Sequence, residues 1–170
     1  MNIHSYEKFW LLASMVLIVG FILTITYGAV GLGIAMVDDS EDTIDPETLT
    51  EHPDFSDPGI EADGEGGYDV YVEAIQFAYF PNDMRVPGNS TVTFHVTSSD
   101  VIHSFSVVGT NANTMVIPGE IASVTVETDD VDEPRKYGVI CTEYCGSGHH
   151  DMEAALTIVP EDEFELEGEE

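Results

Sequence analysis

The sequence contains very few basic residues. Lysine and arginine together number four among 170 residues, against 33 aspartates and glutamates, and the formal net charge is −29. A nucleic-acid-binding protein needs a basic surface to meet the phosphate backbone, so that class is excluded. The acids are spread along the chain, and all except Glu7 follow residue 37. Repulsion between so many like charges destabilises a compact fold at low salt. At about 1 M salt the Debye length falls to about 3 Å, which removes most of this repulsion. The composition therefore favours a protein from a salt-loving organism.

Charge is also absent from residues 9–37. At about 1.5 Å per residue, such a helix exceeds the roughly 30 Å hydrocarbon core of a bilayer. A signal peptide would have a shorter apolar region of roughly 7–15 residues, so a retained anchor is the better interpretation, although Ala29 and Ala35 leave cleavage open. Lys8 precedes the run and the next basic residue is Arg85. We expect a single-pass plasma-membrane protein with a cytoplasmic N-terminus and its remaining residues outside.

Composition divides the chain into four parts. Residues 1–37 are the N-terminus and anchor, 38–67 an acidic linker rich in proline and glycine, 68–159 a folded domain, and 160–170 an acidic, disordered tail. Within the domain, apolar and polar residues alternate over 91–97. Turn signals separate further short strands, predicted over residues 68–80, 104–108, 121–127, 136–140 and 154–159. Many short strands in so few residues predict an antiparallel β-sandwich.

Cysteine is scarce, and both cysteines fall in one short stretch, residues 141–152. Cys141, Cys145, His149 and Met152 form a soft ligand set there. Thiolate and thioether select Cu(I), and imidazole suits copper generally. A disulfide, a zinc site or a mononuclear blue-copper site would each leave part of this set unused. Two thiolates that bridge two coppers would use all of it, given a second histidine.

The second histidine must come from outside this stretch. His103 is the best candidate because it follows a polar turn and begins a predicted strand, where a sandwich can build a metal site at one end. His95 falls on the polar face of the strand 91–97 and is expected to be exposed, as is His150. The other candidates are His4, ahead of the span, and His52, in the linker.

Residues 71–159 resemble the CuA domain of haem–copper oxidase subunit II. Three motifs carry the resemblance: Asp-Val-Ile-His-Ser-Phe at 100–105, Pro-Gly-Glu at 118–120 and Cys-x-Glu-x-Cys-Gly-x-x-His-x-x-Met at 141–152. The short chain with a single anchor looks most like the B-type oxidases. The resemblance implies an all-β cupredoxin domain, a Greek-key β-sandwich, behind one N-terminal transmembrane helix.

The resemblance also implies a binuclear copper centre, CuA. Its ligands would be Cys141 and Cys145 as bridges, His103 and Met152 on one copper, and His149 with the backbone carbonyl of Glu143 on the other. Such a subunit takes single electrons from a soluble donor, a cytochrome c or a small blue copper protein, and passes them to haem in subunit I. Haem and CuB are expected in that partner only, where a proton-translocating oxidase reduces oxygen.

Two further expectations concern electron and proton uptake. The A-type relatives receive electrons at a tryptophan-rich stretch, whereas the only tryptophan here is Trp10. Phe77, Tyr79 and Phe80 are the candidates for the donor-facing surface, with core packing as the alternative. Glu7 precedes the span, and by resemblance it is a candidate for the mouth of a proton channel into subunit I. The alternative is an ordinary helix flank.

Two other functions remain open from the sequence. The first is a CuA subunit of a nitric oxide reductase. The second is a copper chaperone or thiol-redox assembly protein, which typically carries Cys-x-x-x-Cys-Pro on a thioredoxin-like α/β fold. Gly146 stands where that proline would be, and no alternating helices are predicted.

Overall fold

The computed structural model describes residues 4–28 and 43–166, which belong to two compact units. The first unit is one helix, α1 (Ser5–Thr26), of 22 residues. His4 caps it: its ring accepts from the Tyr6 N–H at 3.4 Å, and its own N–H donates to the Glu7 carboxylate at 2.8 Å. None of its side chains is buried, and the helix is long and apolar enough to cross a membrane. The predicted span beyond residue 28 lies outside the described residues.

The second unit is a sandwich of two five-stranded sheets. The first sheet consists of β1 (Ile60–Ala62), β2 (Tyr68–Ile75), β3 (Ala78–Phe80), β5 (Thr91–Ser98) and β8 (Ala122–Glu127), in the order β1-β2-β5-β8 with β3 beside β2. The second consists of β4 (Asp83–Pro87), β6 (His103–Val107), β7 (Asn113–Val116), β9 (Arg135–Ile140) and β10 (Glu153–Val159), in the order β4-β10-β9-β6-β7.

The sandwich is not wholly antiparallel, which corrects the sequence prediction. β2 runs parallel to β5, and β4 runs parallel to β10. The chain leaves the first sheet after β3, forms β4 in the second sheet, and returns as β5 in the same direction as β2. Parallel neighbours need such a crossover, which a short-range pattern of apolar residues does not reveal.

The core lies between the two sheets. Val92, Phe94 and Val96 on β5 are fully buried, as their alternation predicted. Phe105 of β6 meets the Phe94 ring from the other sheet, with ring centroids 5.1 Å apart. Val139 on β9 is also fully buried. This packing fixes the strands whose ends carry the candidate ligands.

A segment ahead of β1 packs on the domain, although its composition resembles a linker. Ile44, Leu49 and Phe55 are buried in a cluster with Tyr71 and Ile121. The Phe55 ring meets the Tyr71 ring edge-on at 5.4 Å. We call residues 43–59 the strap. It packs on the domain because these three side chains supply apolar area, although acids and prolines predominate in its sequence.

The start of the acidic tail is also structured. Glu161–Glu163 form a single turn of 3-10 helix, and the Phe164 ring packs edge-on against Tyr68 at 5.2 Å. This differs from the expected disorder because Phe164 gives the tail one apolar anchor. Residues 167–170 lie outside the described part of the chain.

Candidate metal centre

The candidate ligands meet at one end of the second sheet. His103 is the first residue of β6, and the loop 141–152 joins β9 to β10. Because β6 pairs antiparallel with β9, with Ser106 opposite Ile140, the start of β6 extends past the end of β9 and runs alongside the loop. The loop closes with a turn of 3-10 helix, His149–Asp151. His103 is thereby brought to a loop that follows it by almost forty residues.

Five side chains of the predicted set form a contiguous cluster. The two cysteine sulfurs lie 4.0 Å apart. The Cys141 sulfur lies 4.0 Å from Nδ1 of His103, and the Cys145 sulfur lies 3.7 Å from Nδ1 of His149 and 3.6 Å from the Met152 sulfur. His103, both cysteines and Met152 are buried. Two soft sulfurs therefore stand at the centre, with one imidazole on each side.

The backbone carbonyl of Glu143 faces the same cluster. It lies 3.1 Å from the Cys141 sulfur. The Glu143 side chain is half-buried. The carbonyl, rather than the carboxylate, is thus the part of Glu143 that the loop brings to the sulfur atoms.

One ring nitrogen of His103 is hydrogen-bonded to Asp100, and the other faces the cluster. Its Nε2 lies 2.8 Å from Oδ1 of Asp100, so Nε2 carries the proton and donates it. The other ring nitrogen, Nδ1, faces Cys141, where it could bind a metal ion. Partial burial acts to raise the pKa of Asp100, but the bond from His103 and the N–H groups of Gln76 and Val101 outweigh it and hold this pKa below its usual range. Asp100 is therefore an anion that orients the imidazole.

The buried position of the Cys145 thiol favours its protonated, neutral form. Burial, followed by the proximity of Cys141, raises its pKa to about 11. Without a cation the thiol is consequently neutral at physiological pH. A bound metal ion would supply the positive charge that makes the thiolate form stable there.

The remaining histidines do not join this cluster. His95 is not freely exposed as expected: Nδ1 lies 2.9 Å from the Ser123 hydroxyl and Nε2 lies 3.0 Å from the Asp69 carboxylate. These partners sit on neighbouring strands, and together they leave the side chain 24% exposed. His52 lies in the strap. His150 is exposed beside the cluster residue His149, as expected.

The three aromatic candidates for the donor surface lie in different environments. Tyr79 is fully buried, and its hydroxyl donates to the Ser104 carbonyl, so it offers no surface to a donor. Phe77 is half-buried and Phe80 is 48% exposed. Sequence reasoning overlooked Tyr144, which is 80% exposed with its ring centroid 6.0 Å from that of His149. Its position between the two cysteines was the available signal.

Comparisons with known proteins agree with one another. The sequence profile of the family "Cytochrome C oxidase subunit II, periplasmic domain" matches residues 51–159. "Cytochrome c oxidase subunit 2" of Thermus thermophilus is 35% identical over 159 residues, 92% of this chain and 93% of that protein. A chain in the structure of a haem–copper terminal oxidase dimer is 27% identical with a TM-score of 0.69, covering 90% of this chain and 99% of its own.

A fourth comparison concerns the fold alone. The periplasmic domain of cytochrome oxidase subunit II from Bradyrhizobium japonicum is 21% identical with a TM-score of 0.52, over 59% of this chain and 89% of that one. The two-sheet sandwich, with buried candidate ligands at one end, is a cupredoxin-like domain, as predicted, joined in sequence to one apolar helix. The chain is thus of the class of cupredoxin-like subunits of redox complexes.

The chain belongs to the cytochrome c oxidase subunit II family. It is the electron-transfer subunit of a haem–copper terminal oxidase, an oxidoreductase complex in which it associates with subunit I. The relatives favour this function over the nitric oxide reductase and assembly-protein alternatives. The all-β fold further excludes a thioredoxin-like α/β protein.

Proposed function

We propose that this chain carries a binuclear CuA centre. In this assignment Cys141 and Cys145 bridge two coppers, His103 and Met152 complete one copper, and His149 with the Glu143 carbonyl completes the other. The observation that carries the proposal is the pair of buried sulfurs 4.0 Å apart, flanked by one imidazole nitrogen on each side. When bound, the copper pair would take up and give back one electron at a time.

The spacing of the donor atoms suits metal ions better than a disulfide. A disulfide needs the sulfurs about 2.05 Å apart, and these are 4.0 Å apart. Nitrogen and sulfur atoms at about 2.0–2.3 Å from one ion, at tetrahedral angles, lie about 3.5–3.8 Å from each other. The contacts that Cys145 makes with His149 and Met152 fall in this range. Zinc would have no use for the buried thioether, whereas copper favours it.

We further propose that the domain faces the outside of the plasma membrane and meets a soluble donor there. Lys8, ahead of α1, supports a cytoplasmic N-terminus. Tyr144 is the best-placed surface contact for the donor, because its exposed ring lies 6.0 Å from that of the ligand His149. The exposed Phe80 and the half-buried Phe77 are further candidates. The one membrane-length apolar helix among the described residues and the Asp-Val-Ile-His stretch at 100–103 support a B-type oxidase.

We also propose that the protein works at high salt. Among the described residues, Arg135–Asp129 at 3.3 Å is the one ion pair that involves a lysine or arginine. The other acids among those residues have no lysine or arginine partner to offset their mutual repulsion. Screening by dissolved salt would take the place of those missing ion pairs.

Metal analysis of the full chain in detergent tests the copper assignment. After reconstitution with copper and zinc together, we expect two coppers per chain and no zinc. The double variant Cys141→Ser/Cys145→Ser is the control and should bind neither firmly. One copper per chain, or zinc in preference to copper, would overturn the binuclear assignment.

A further inference from the structure

The turn between β2 and β3 lies against both halves of the ligand cluster. Gln76, in this turn, is exposed, yet its two donor groups both bond toward the centre. Its backbone N–H donates to Oδ2 of Asp100 at 2.7 Å. Its side-chain nitrogen donates to the carbonyl of Cys145. A carbonyl only accepts, so the amide NH2 group must be the partner.

The first bond acts on the His103 half. Asp100 has two carboxylate oxygens with separate tasks: Oδ1 accepts from His103 Nε2, and Oδ2 accepts from the Gln76 N–H. The Val101 N–H also donates to Oδ1, at 2.6 Å. Because both oxygens are occupied, the carboxylate cannot rotate without losing bonds. The backbone of Gln76 thus limits how far the His103 ring can turn.

The second bond acts on the half that contains Cys145 and His149. Gly146 follows Cys145 with φ of +137°, a conformation that favours glycine. The Phe77 ring lies directly on Gly146 and Gly148: a Cβ atom would come 3.0 Å from the ring at Gly146 and 2.5 Å at Gly148. The glycines therefore allow the turn at 76–77 to approach close enough for the Gln76 amide to reach the loop.

The parts of the loop around Cys141 and around Cys145 are held by different partners. Near Cys141, the Ser104 hydroxyl accepts from the Thr142 N–H at 2.6 Å and lies 2.8 Å from the Thr142 hydroxyl. Near Cys145, the Gln76 amide is the one side-chain donor from outside the loop that reaches residues 143–152, among the hydrogen bonds of the described residues. Removing it would leave the Cys145 part of the loop without its side-chain hydrogen bond to the rest of the domain.

We propose that Gln76 is a positioning residue of the metal centre, which ties the Cys145 carbonyl and the Asp100 carboxylate to one turn. This proposal rests on the copper assignment above. Gln76 touches no candidate ligand atom, and it acts through the groups that aim Cys145, His149 and His103. Residues of this kind typically change metal affinity by about 10–100-fold.

Three variants separate the hydrogen bond from the bulk of the side chain. Gln76→Met keeps the length and removes the donor, Gln76→Lys keeps a donor of similar reach, and Thr93→Ala removes a 3.0 Å bond to Thr125 between strands that carry no ligand. We expect Gln76→Met in the full chain to lose copper to a chelator about tenfold faster than the parent. The reduction potential should fall as well, because the carbonyl beside the Cys145 thiolate loses its donor. Gln76→Lys should recover most of both properties, and Thr93→Ala should match the parent.

A copper-free measurement keeps this test separate from the copper assignment. Amide hydrogen exchange over residues 145–149 should be faster in metal-free Gln76→Met than in the metal-free parent, and near the parent rate in Gln76→Lys. Failure of the parent to bind two coppers, with this exchange difference intact, would contradict the copper assignment alone. Equal exchange and equal copper release in Gln76→Met and the parent would overturn the role of Gln76. Equal defects in the Met and Lys variants would overturn the hydrogen bond as its basis.

Discussion

At the scale of single residues, the three sulfur atoms of the cluster have different tasks. The Cys145 sulfur lies within 4.0 Å of the Cys141 sulfur, His149 and Met152, so it is the most central atom. Met152 touches the cluster from one side only, and a thioether is a weak ligand that tunes a copper site rather than holding it. The cysteines should therefore determine whether the centre exists, and Met152 should determine its potential.

Substitution of these sulfurs tests that division. Cys145→Ser should abolish the state in which two coppers share one unpaired electron. Met152→Leu, a swap of similar volume, should retain two coppers and change the reduction potential, as measured by a redox titration followed by absorbance. Met115→Leu is the matched control, because Met115 is 51% exposed on β7, and it should leave the potential unaltered. Loss of copper in Met152→Leu together with a shared-valence signal in Cys145→Ser would reverse the assignment.

Glu7 has a structural task that the sequence did not disclose. Its carboxylate accepts the His4 N–H at 2.8 Å and so completes the helix cap. A glutamine can accept the same bond, so Glu7→Gln removes the proton-binding group and retains the cap. If Glu7 feeds protons to subunit I, Glu7→Gln should slow turnover of the intact complex several-fold with unchanged copper content, and Glu7→Asp should restore part of the rate.

Glu7→Ala serves as the comparison for the cap. It removes both the Glu7 half of the cap and the proton-binding group, so it should be at least as slow as Glu7→Gln. Parental turnover in Glu7→Gln across the pH range, measured as oxygen uptake, would leave Glu7 with its capping role only.

Some residues of the site were accessible from the sequence and others were not. Cys141, Cys145, His149 and Met152 sit in one short stretch whose chemistry is visible without a fold. His103 could be chosen because it begins a strand after a polar turn. Gln76 and Ser104 left no such signal, since their roles depend on which turn and which strand end lie beside the loop. Tyr144 was missed because the family resemblance places the aromatic residues for electron entry in the stretch before His103.

At the scale of elements, the strap adds apolar contacts outside the sandwich core. Its three buried side chains meet Tyr71 and Ile121, so it covers part of the outer face of the first sheet. Composition alone assigned it to a linker, because acids and prolines outnumber its apolar residues. The strand β4 was missed for a similar reason: Asp83–Pro87 lies between two turn signals, and only Met84 and Val86 alternate toward the core.

Phe55→Ala tests whether the strap stabilises the domain. Phe55 is 2% exposed, and truncation of a buried phenylalanine costs about 3 kcal/mol or more of unfolding free energy. Phe80→Ala makes the same chemical change at a ring that is 48% exposed, and should cost about 1 kcal/mol or less. Denaturant unfolding of the full chain measures both. Equal effects of the two variants would show that the strap does not contribute.

At the scale of the whole molecule, the large negative net charge is the main factor that we expect to make stability depend on salt. A net charge of −29 on 170 residues opposes compaction through self-repulsion. The Debye length is about 10 Å at 0.1 M salt and about 3 Å at 1 M, so repulsion between separate acids persists in the first condition and largely disappears in the second. Sodium and potassium chloride should act alike, because screening depends on ionic strength.

The melting temperature of the full chain should accordingly rise between about 0.1 M and about 1 M salt. Sucrose at matched osmolality is the control and should give a smaller rise, because it leaves charges unscreened. Circular dichroism of the β signal follows the transition. A melting temperature that does not change with salt would remove the interpretation of this composition as an adaptation to high salt.

In the proposed assignment, two coppers share the cluster built by Cys141, Cys145, His103, His149 and Met152. Electron paramagnetic resonance of the copper-loaded full chain tests it most directly. We expect a hyperfine pattern from one unpaired electron spread equally over two copper nuclei. This pattern should disappear on addition of one electron per centre. A pattern from a single copper nucleus, or the absence of any copper signal in the oxidised protein, would contradict it.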